Sequence, residues 1–198
     1  MINKMVLLVL AAVLATMIVP GPVAAQPCFI AVTAANDGWF DGTAVRFQKA
    51  MEQALIARNS RVAMRDAWEI SEIWGALSTG QMTARPLNGL CKVIRIGFSI
   101  VERQNSSSQW SFPNLGTFTQ RTVVTVELDA KLITVGPERE ILFSRTETVR
   151  AEESAANWLS ITVGGVHYSQ QRSSQAQVRF QVLEFVARWL VEQMGSKI

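Results

Sequence analysis

Thr122-Val123-Val124-Thr125-Val126-Glu127-Leu128-Asp129-Ala130-Lys131-Leu132 is a run in which alternate positions are apolar. Val124, Val126, Leu128, Ala130 and Leu132 share one side of an extended chain, and Thr125, Glu127, Asp129 and Lys131 share the other. Successive side chains of a strand point to opposite faces, so the run predicts a strand with one face in a core and one in water. That division is typical of antiparallel sheet. Gly136-Pro137-Glu138-Arg139 then turns the chain, and Ile141 to Val149 is expected to return as the hairpin partner.

Upstream, Cys91 to Glu102 has the same period: Ile94, Ile96, Phe98 and Ile100 oppose Arg95, Gly97 and Ser99. Cys28 to Ala35 is a short apolar run rich in β-branched residues, bounded by Asn36-Asp37-Gly38, and reads as a buried first strand. Helical spacing follows. Asp41-Gly42-Thr43 offers a cap, and from Ala44 to Arg58 the residues Phe47, Met51, Ala54 and Leu55 fall on one face. Arg61 to Met64 is a brief extended piece. Asp66, with Glu69 three residues on, has the form of a capping box, and Ile70, Ile73, Trp74 and Leu77 repeat at helical spacing up to Gly80. A last helix is expected from about Gln175 to Met194, with Val178, Val182, Leu183, Phe185, Val186, Trp189 and Leu190 as its apolar face. The predicted class is therefore α+β, a mixed β-sheet flanked by helices in the order β-α-β-α-β-β-β-α. Two polar stretches, Gln104 to Gln120 and Glu152 to Gln175, read as excursions from it. Within the second, Gly164-Gly165 between β-rich pieces is a hairpin signal.

The N-terminus reads differently. Lys4 precedes an uncharged apolar run from Met5 to Val19, Pro20-Gly21-Pro22 breaks it, and Val23-Ala24-Ala25 offers small residues to a peptidase. Residues 1–25 are expected to be a cleaved secretory signal, leaving 26–198 as a single periplasmic domain. The apolar run is shorter than the roughly 20 residues that span a bilayer as a helix. Cys28 follows Pro27 rather than the small residue that lipoprotein processing requires, so no lipid anchor and no stable membrane insertion are expected. Export gives the two cysteines a meaning: each opens an apolar run, and in an oxidising compartment Cys28 and Cys91 are expected to pair. Two cysteines and one histidine are too few for a metal site. A net charge of +3, part of it from Lys4, is too small to imply a nucleic-acid partner.

Arg61-Val62-Ala63-Met64-Arg65-Asp66 leading into a helix, together with this order of elements, resembles the CsgG-type curli secretion channel family and its soluble relative, the LpoB-type activator of peptidoglycan synthases. Leu90 to Ile100 is similar to the strand that follows "GA" in that family, Thr122 to Phe143 to its long hairpin, and the C-terminal helix sits where the family has one. The resemblance covers nearly the whole chain after the signal and implies the family's anticodon-binding-domain-like fold. It further implies a soluble, non-lipidated member that binds another envelope protein, with a homo-oligomeric ring as a family trait. The hairpin turn departs from the family's "TGE", and the family's anchoring cysteine is missing. The two polar stretches fall where the channel carries membrane hairpins, which makes an oligomeric outer-membrane secretion pore the alternative. Gln104 to Gln120 is too polar and short for two spanning arms, and Glu152 to Gln175 alternates only at Leu159, Ile161 and Val163.

A hydrolase, the third class, would have to be built on His167, the sole histidine, which lacks a flanking nucleophile signature. The paired acids Glu152-Glu153 and Glu138/Glu140 read as solvated turn residues. No phosphate loop, zinc spacing or calcium loop is present, so neither catalysis nor a cofactor is expected. Trp68, Trp74 and Trp189 lie on predicted helices and are expected in the core. Trp39, Trp110 and Trp158 fall in predicted loops or at their edges. With Phe112 and Tyr168 they are the candidate partner-binding residues, the other reading being that they cover the ends of the sheet. The expectation is a non-catalytic periplasmic assembly or regulatory factor that binds another envelope protein.

Overall fold

The computed structural model describes residues 28–36, 42–62, 90–111, 115–135, 139–153, 158–172 and 177–198, with backbone alone at 106–111 and 115–120. The signal segment, the expected second helix at Asp66 to Gly80, Trp39 and Phe112 lie outside the described residues.

Six strands form one sheet in chain order: β1 (Phe29–Asn36), β2 (Leu90–Ser111), β3 (Leu115–Thr134), β4 (Ile141–Glu153), β5 (Trp158–Val163) and β6 (Val166–Gln171). β1 runs parallel to β2, and every later neighbour pair is antiparallel. The parallel pair requires a crossover, and α1 (Thr43–Ala57) lies within it. α2 (Val178–Met194) follows the sheet and runs into a short 3₁₀ turn, Gly195–Lys197. The class is thus α+β with a mixed sheet and helices packed on it.

The register explains the core. Ile94 faces Leu132, Ile96 faces Ala130, Phe98 faces Leu128, and Val126 faces Val149. These residues, with Ile30 and Val32 of β1 and Leu159, Ile161 and Val163 of β5, form one apolar layer. Both helices cover it. Phe47, Met51 and Leu55 of α1 and Val182, Val186, Leu190 and Met194 of α2 are buried in it, and Phe47 meets Phe98 edge-on at 5.0 Å between ring centres. Burial of this many large side chains is the main favourable term in folding. On the opposite face, Ala31, Leu90 and Val93 with Val135 make a second, smaller cluster at the β1–β2 end.

The Cys28–Cys91 disulfide ties the start of β1 to the second residue of β2. Its Cα atoms are 5.3 Å apart, as expected where Phe29 is paired with Leu90 next door and inside the usual range of about 4.4–6.8 Å.

Several expectations change. The order gains two strands, β5 and β6, and the stretch Glu152 to Gln175 holds the end of β4 and this hairpin rather than an excursion. Gln104 to Gln120 is not an excursion either: β2 and β3 continue through it, paired from Gln104 with Thr122 out to Ser111 with Leu115. Ladder hydrogen bonds come from the backbone, so Ser, Asn and Gln can sustain a two-stranded ribbon without the alternation that marks a buried strand. The brief piece at Arg61 reduces, among the described residues, to a parallel bridge between Ile30 and Val62. The α1 cap is Gly42, at φ 72° and with no side-chain cap bond, so the helix is capped through backbone conformation.

Candidate interaction face

The face of the sheet away from the helices is built by the complementary half of the same alternation. β2 contributes Arg95, Gly97 and Ser99; β3 contributes Thr125, Glu127, Asp129 and Lys131. Thr146, Thr148, Arg150 and Glu152 continue the rows on β4. At the far end Trp158, Ser160 and Thr162 of β5 lie beside Gln171, Ser169 and His167 of β6. Hydroxyl-bearing and charged side chains share this surface. Lys131 reaches Asp129 at 3.1 Å and Thr146 donates to Asp129 at 3.3 Å, while Arg121 lies 3.7 Å from Glu152. Exposed pairs of this kind add little stability; they set a charge pattern.

Trp158 gives the face its one large aromatic among the described residues. It begins β5 opposite Gln171 and is 46% exposed. Next to it, Ser160 Oγ lies 3.2 Å from His167 Nε2 and Thr162 Oγ1 lies 2.6 Å from His167 Nδ1. The imidazole is therefore held flat along the strands by two hydroxyls. Chemically the Ser160–His167 contact has the form of a nucleophile–base pair, but the group on the second ring nitrogen is a threonine hydroxyl, not the carboxylate that would stabilise an imidazolium. The arrangement orients donors and acceptors toward solvent and holds no carboxylate against the ring. Among the described residues no group of three or more His, Cys, Asp or Glu could hold a metal ion.

The candidate residues separate. Trp158 and Tyr168 both belong to the β5–β6 hairpin but point to opposite faces. Tyr168 pairs with Ile161, is half-buried, and meets the Phe185 ring of α2 at 5.0 Å between centres. It closes the end of the core. Trp110 stands at the tip of the β2–β3 ribbon, paired with Gly116, and its backbone alone is described. Glu152 and Glu153, expected as solvated turn residues, instead lie in β4, where Glu153 is paired with Arg172. Ser160, Thr162 and Arg150 were not singled out from the sequence. Their signal was the alternation Trp158, Ser160, Thr162 against Leu159, Ile161, Val163, which names the exposed set once the buried set is known.

A second concavity lies on the other side of the molecule, between the helices. Ala50, Ala54 and Ala57 floor a groove of about 310 Å³ walled by Arg58, Arg188, Glu184 and Glu192. Arg58 donates to the Val191 carbonyl across it at 3.1 Å, so the groove is a cross-braced seam between α1 and α2. No described helix is long and apolar enough to cross a membrane.

No family model matches this chain, and no curated protein matches it. Three solved structures align with the chain at low identity and low TM-score. The lipoprotein GNA1162 of Neisseria meningitidis is 13% identical over 85% of this chain and 97% of its own, with a TM-score of 0.39. A neuraminyllactose-binding hemagglutinin homolog from Helicobacter pylori is 12% identical over 87% and 88%, with a TM-score of 0.41. The hypothetical protein CT253 of Chlamydia trachomatis is 9% identical over 67% and 76%, with a TM-score of 0.32.

Proposed function

We propose that this chain is a non-catalytic assembly or regulatory factor of the bacterial periplasm that binds another envelope protein on the open face around Trp158. The observation that carries the reading is that face itself: a surface of hydroxyl-bearing and charged side chains with one exposed tryptophan at its end, opposite the face that carries the apolar layer and the helices. Interfaces draw most of their energy from a few aromatic or arginine anchors surrounded by polar contacts. Trp158 would be the anchor, and Arg150 and Glu152 would fix the partner's orientation. The Cys28–Cys91 disulfide and the signal-like residues 1–25 support export into an oxidising compartment.

The test is co-purification from envelope extracts with the wild-type chain and with Trp158→Ala. A hot-spot tryptophan is worth about 2 kcal/mol or more, or roughly a thirtyfold loss of affinity, so the partner should be depleted from the variant. An unchanged set of co-purifying proteins refutes the assignment to this face.

The second reading, the oligomeric secretion pore, has one structural counterpart, a ribbon whose arms are shorter than membrane strands need. The β2–β3 ribbon runs on beyond Val123–Glu152, the last β3–β4 pair, as two arms of eight residues, Gln104–Ser111 and Leu115–Thr122. Membrane strands need about 9–11 residues per arm. Heat-resistant oligomers in the outer-membrane fraction would support the pore; a chain found wholly in the soluble fraction would exclude it.

A further inference from the structure

The two edges of the sheet are unlike. On the outer side of β1, Ile30 N–H donates to the Arg61 carbonyl at 2.8 Å and bridges to Val62, and the register slips between Phe29 and Ile30. That edge is partly covered and irregular. β6 is the other edge, and no described strand pairs with its outer side. Its pairing with β5 is unbroken from Trp158–Gln171 to Val163–Val166. Val166-His167-Tyr168-Ser169-Gln170-Gln171 holds no Pro, Lys, Arg, Asp or Glu. Natural edge strands are normally blunted by charge, proline or a bulge, and this one carries none of these.

The turn that precedes it tells which backbone groups face outward. Gly164 and Gly165 have φ of 56° and 77°, both positive, which is the type I′ turn of a two-residue hairpin. Such a turn closes on a hydrogen-bonded pair, here Val163 with Val166, and bonded and non-bonded pairs alternate down the ladder. Val166, Tyr168 and Gln170 therefore spend their N–H and C=O groups on β5. His167, Ser169 and Gln171 direct theirs away from the sheet.

We infer that β6 pairs antiparallel with β6 of a second copy of this chain, about a two-fold axis at Ser169. Each Ser169 then lies opposite its equivalent, and each His167 lies opposite the other copy's Gln171. All the outward groups of the three residues are used, giving about six backbone hydrogen bonds. A two-fold interface is self-complementary, so each residue meets its own sequence; a strand of Lys, Arg, Asp or Glu would oppose itself, and this one holds none of them. The flanking Arg172 is already held by Glu153. His167 is already oriented by Ser160 and Thr162. Val166, 52% exposed at the end of the strand, gains cover from the neighbouring copy. The two open faces become one continuous surface of twelve strands. This inference goes beyond the partner reading and uses none of it.

Sedimentation equilibrium on the purified, disulfide-bonded chain from low to high micromolar concentration tests it. The expected result is a monomer–dimer equilibrium. Ser169→Pro removes an outward N–H at a position an edge strand tolerates, and Ser169→Lys sets two ammonium groups face to face at the axis. Each should raise the dimer dissociation constant about tenfold or more while circular dichroism and Tm stay near wild type. Because the lysine is placed on the solvent face, it keeps the test sound should the proline disturb the hairpin. A wild-type monomer at high micromolar concentration overturns the inference, including one whose β6 edge takes up another protein's strand. So does a dimer that survives Ser169→Lys unweakened, because its interface must then lie elsewhere.

Discussion

At the residue scale, the end of the sheet that carries both proposals depends on two glycines. A two-residue type I′ turn requires positive φ at both central positions, and Gly165 at φ 77° has open space where a Cβ would stand. The cost of a side chain there is therefore backbone strain, not a clash. Gly165→Val should destabilise the chain by about 1–2 kcal/mol, whereas Gly165→Asn, which tolerates the left-handed region, should cost clearly less. Urea titration of the two variants checks the order; equal stability would mean that the turn is not type I′. Gly164 adds a packing constraint, because a Cβ there would lie 3.1 Å from Arg145 Nη2, and that guanidinium also donates to Gln193 at 2.9 Å and lies over Trp189. Arg145 thus lies between the hairpin turn and α2, and the hairpin also meets α2 through Tyr168 and Phe185.

At the element scale, the parts legible in the sequence are those whose pattern reports burial. Thr122 to Leu132, Cys91 to Phe98 and the apolar face of α2 were readable because alternation or helical spacing records which side chains leave water. The β2–β3 ribbon was not: from Gln104 to Gln120 Ser, Asn and Gln replace the alternation of apolar side chains, and these residues also occur in loops. The β5–β6 hairpin was half legible, its turn announced by Gly164-Gly165, yet six-residue strands are too short for periodicity to outweigh polar flanks. The same alternation separates Trp158 from Tyr168, which a list of candidate aromatics had joined. The ribbon also yields a prediction. It extends past the last β3–β4 pair, beyond the core that begins at Val124. Replacing residues 106–120 with Asn-Gly should therefore change Tm by no more than a few degrees, since loop shortening is cheap. Collapse of the fold in thermal denaturation would show that the ribbon supports the core.

At the scale of the whole molecule, the disulfide joins the first described segment to the sheet's second strand across a separation of 63 residues. The crossover it spans contains α1 and the stretch leading to β2, so in the unfolded chain the bridge closes a long loop. Loop-closure entropy for that length corresponds to roughly 4 kcal/mol of stabilisation. A chain of this size loses about 2–4 °C of Tm per kcal/mol, so reduction, or a Cys28→Ser/Cys91→Ser double variant, should lower Tm on the order of 10 °C. The sheet should nevertheless reform at low temperature, because β1 is also held by its parallel ladder with β2 and by Ile30 and Val32 in the core. Differential scanning calorimetry of oxidised and reduced protein, with nonreducing peptide mapping to verify the pairing, measures this directly. If reduction left Tm unchanged, the bridge would be a consequence of the fold and not a support for it, and a reducing compartment would serve the chain equally well. A drop of the expected size would tie the stability of the molecule to the oxidising environment that residues 1–25 lead one to expect.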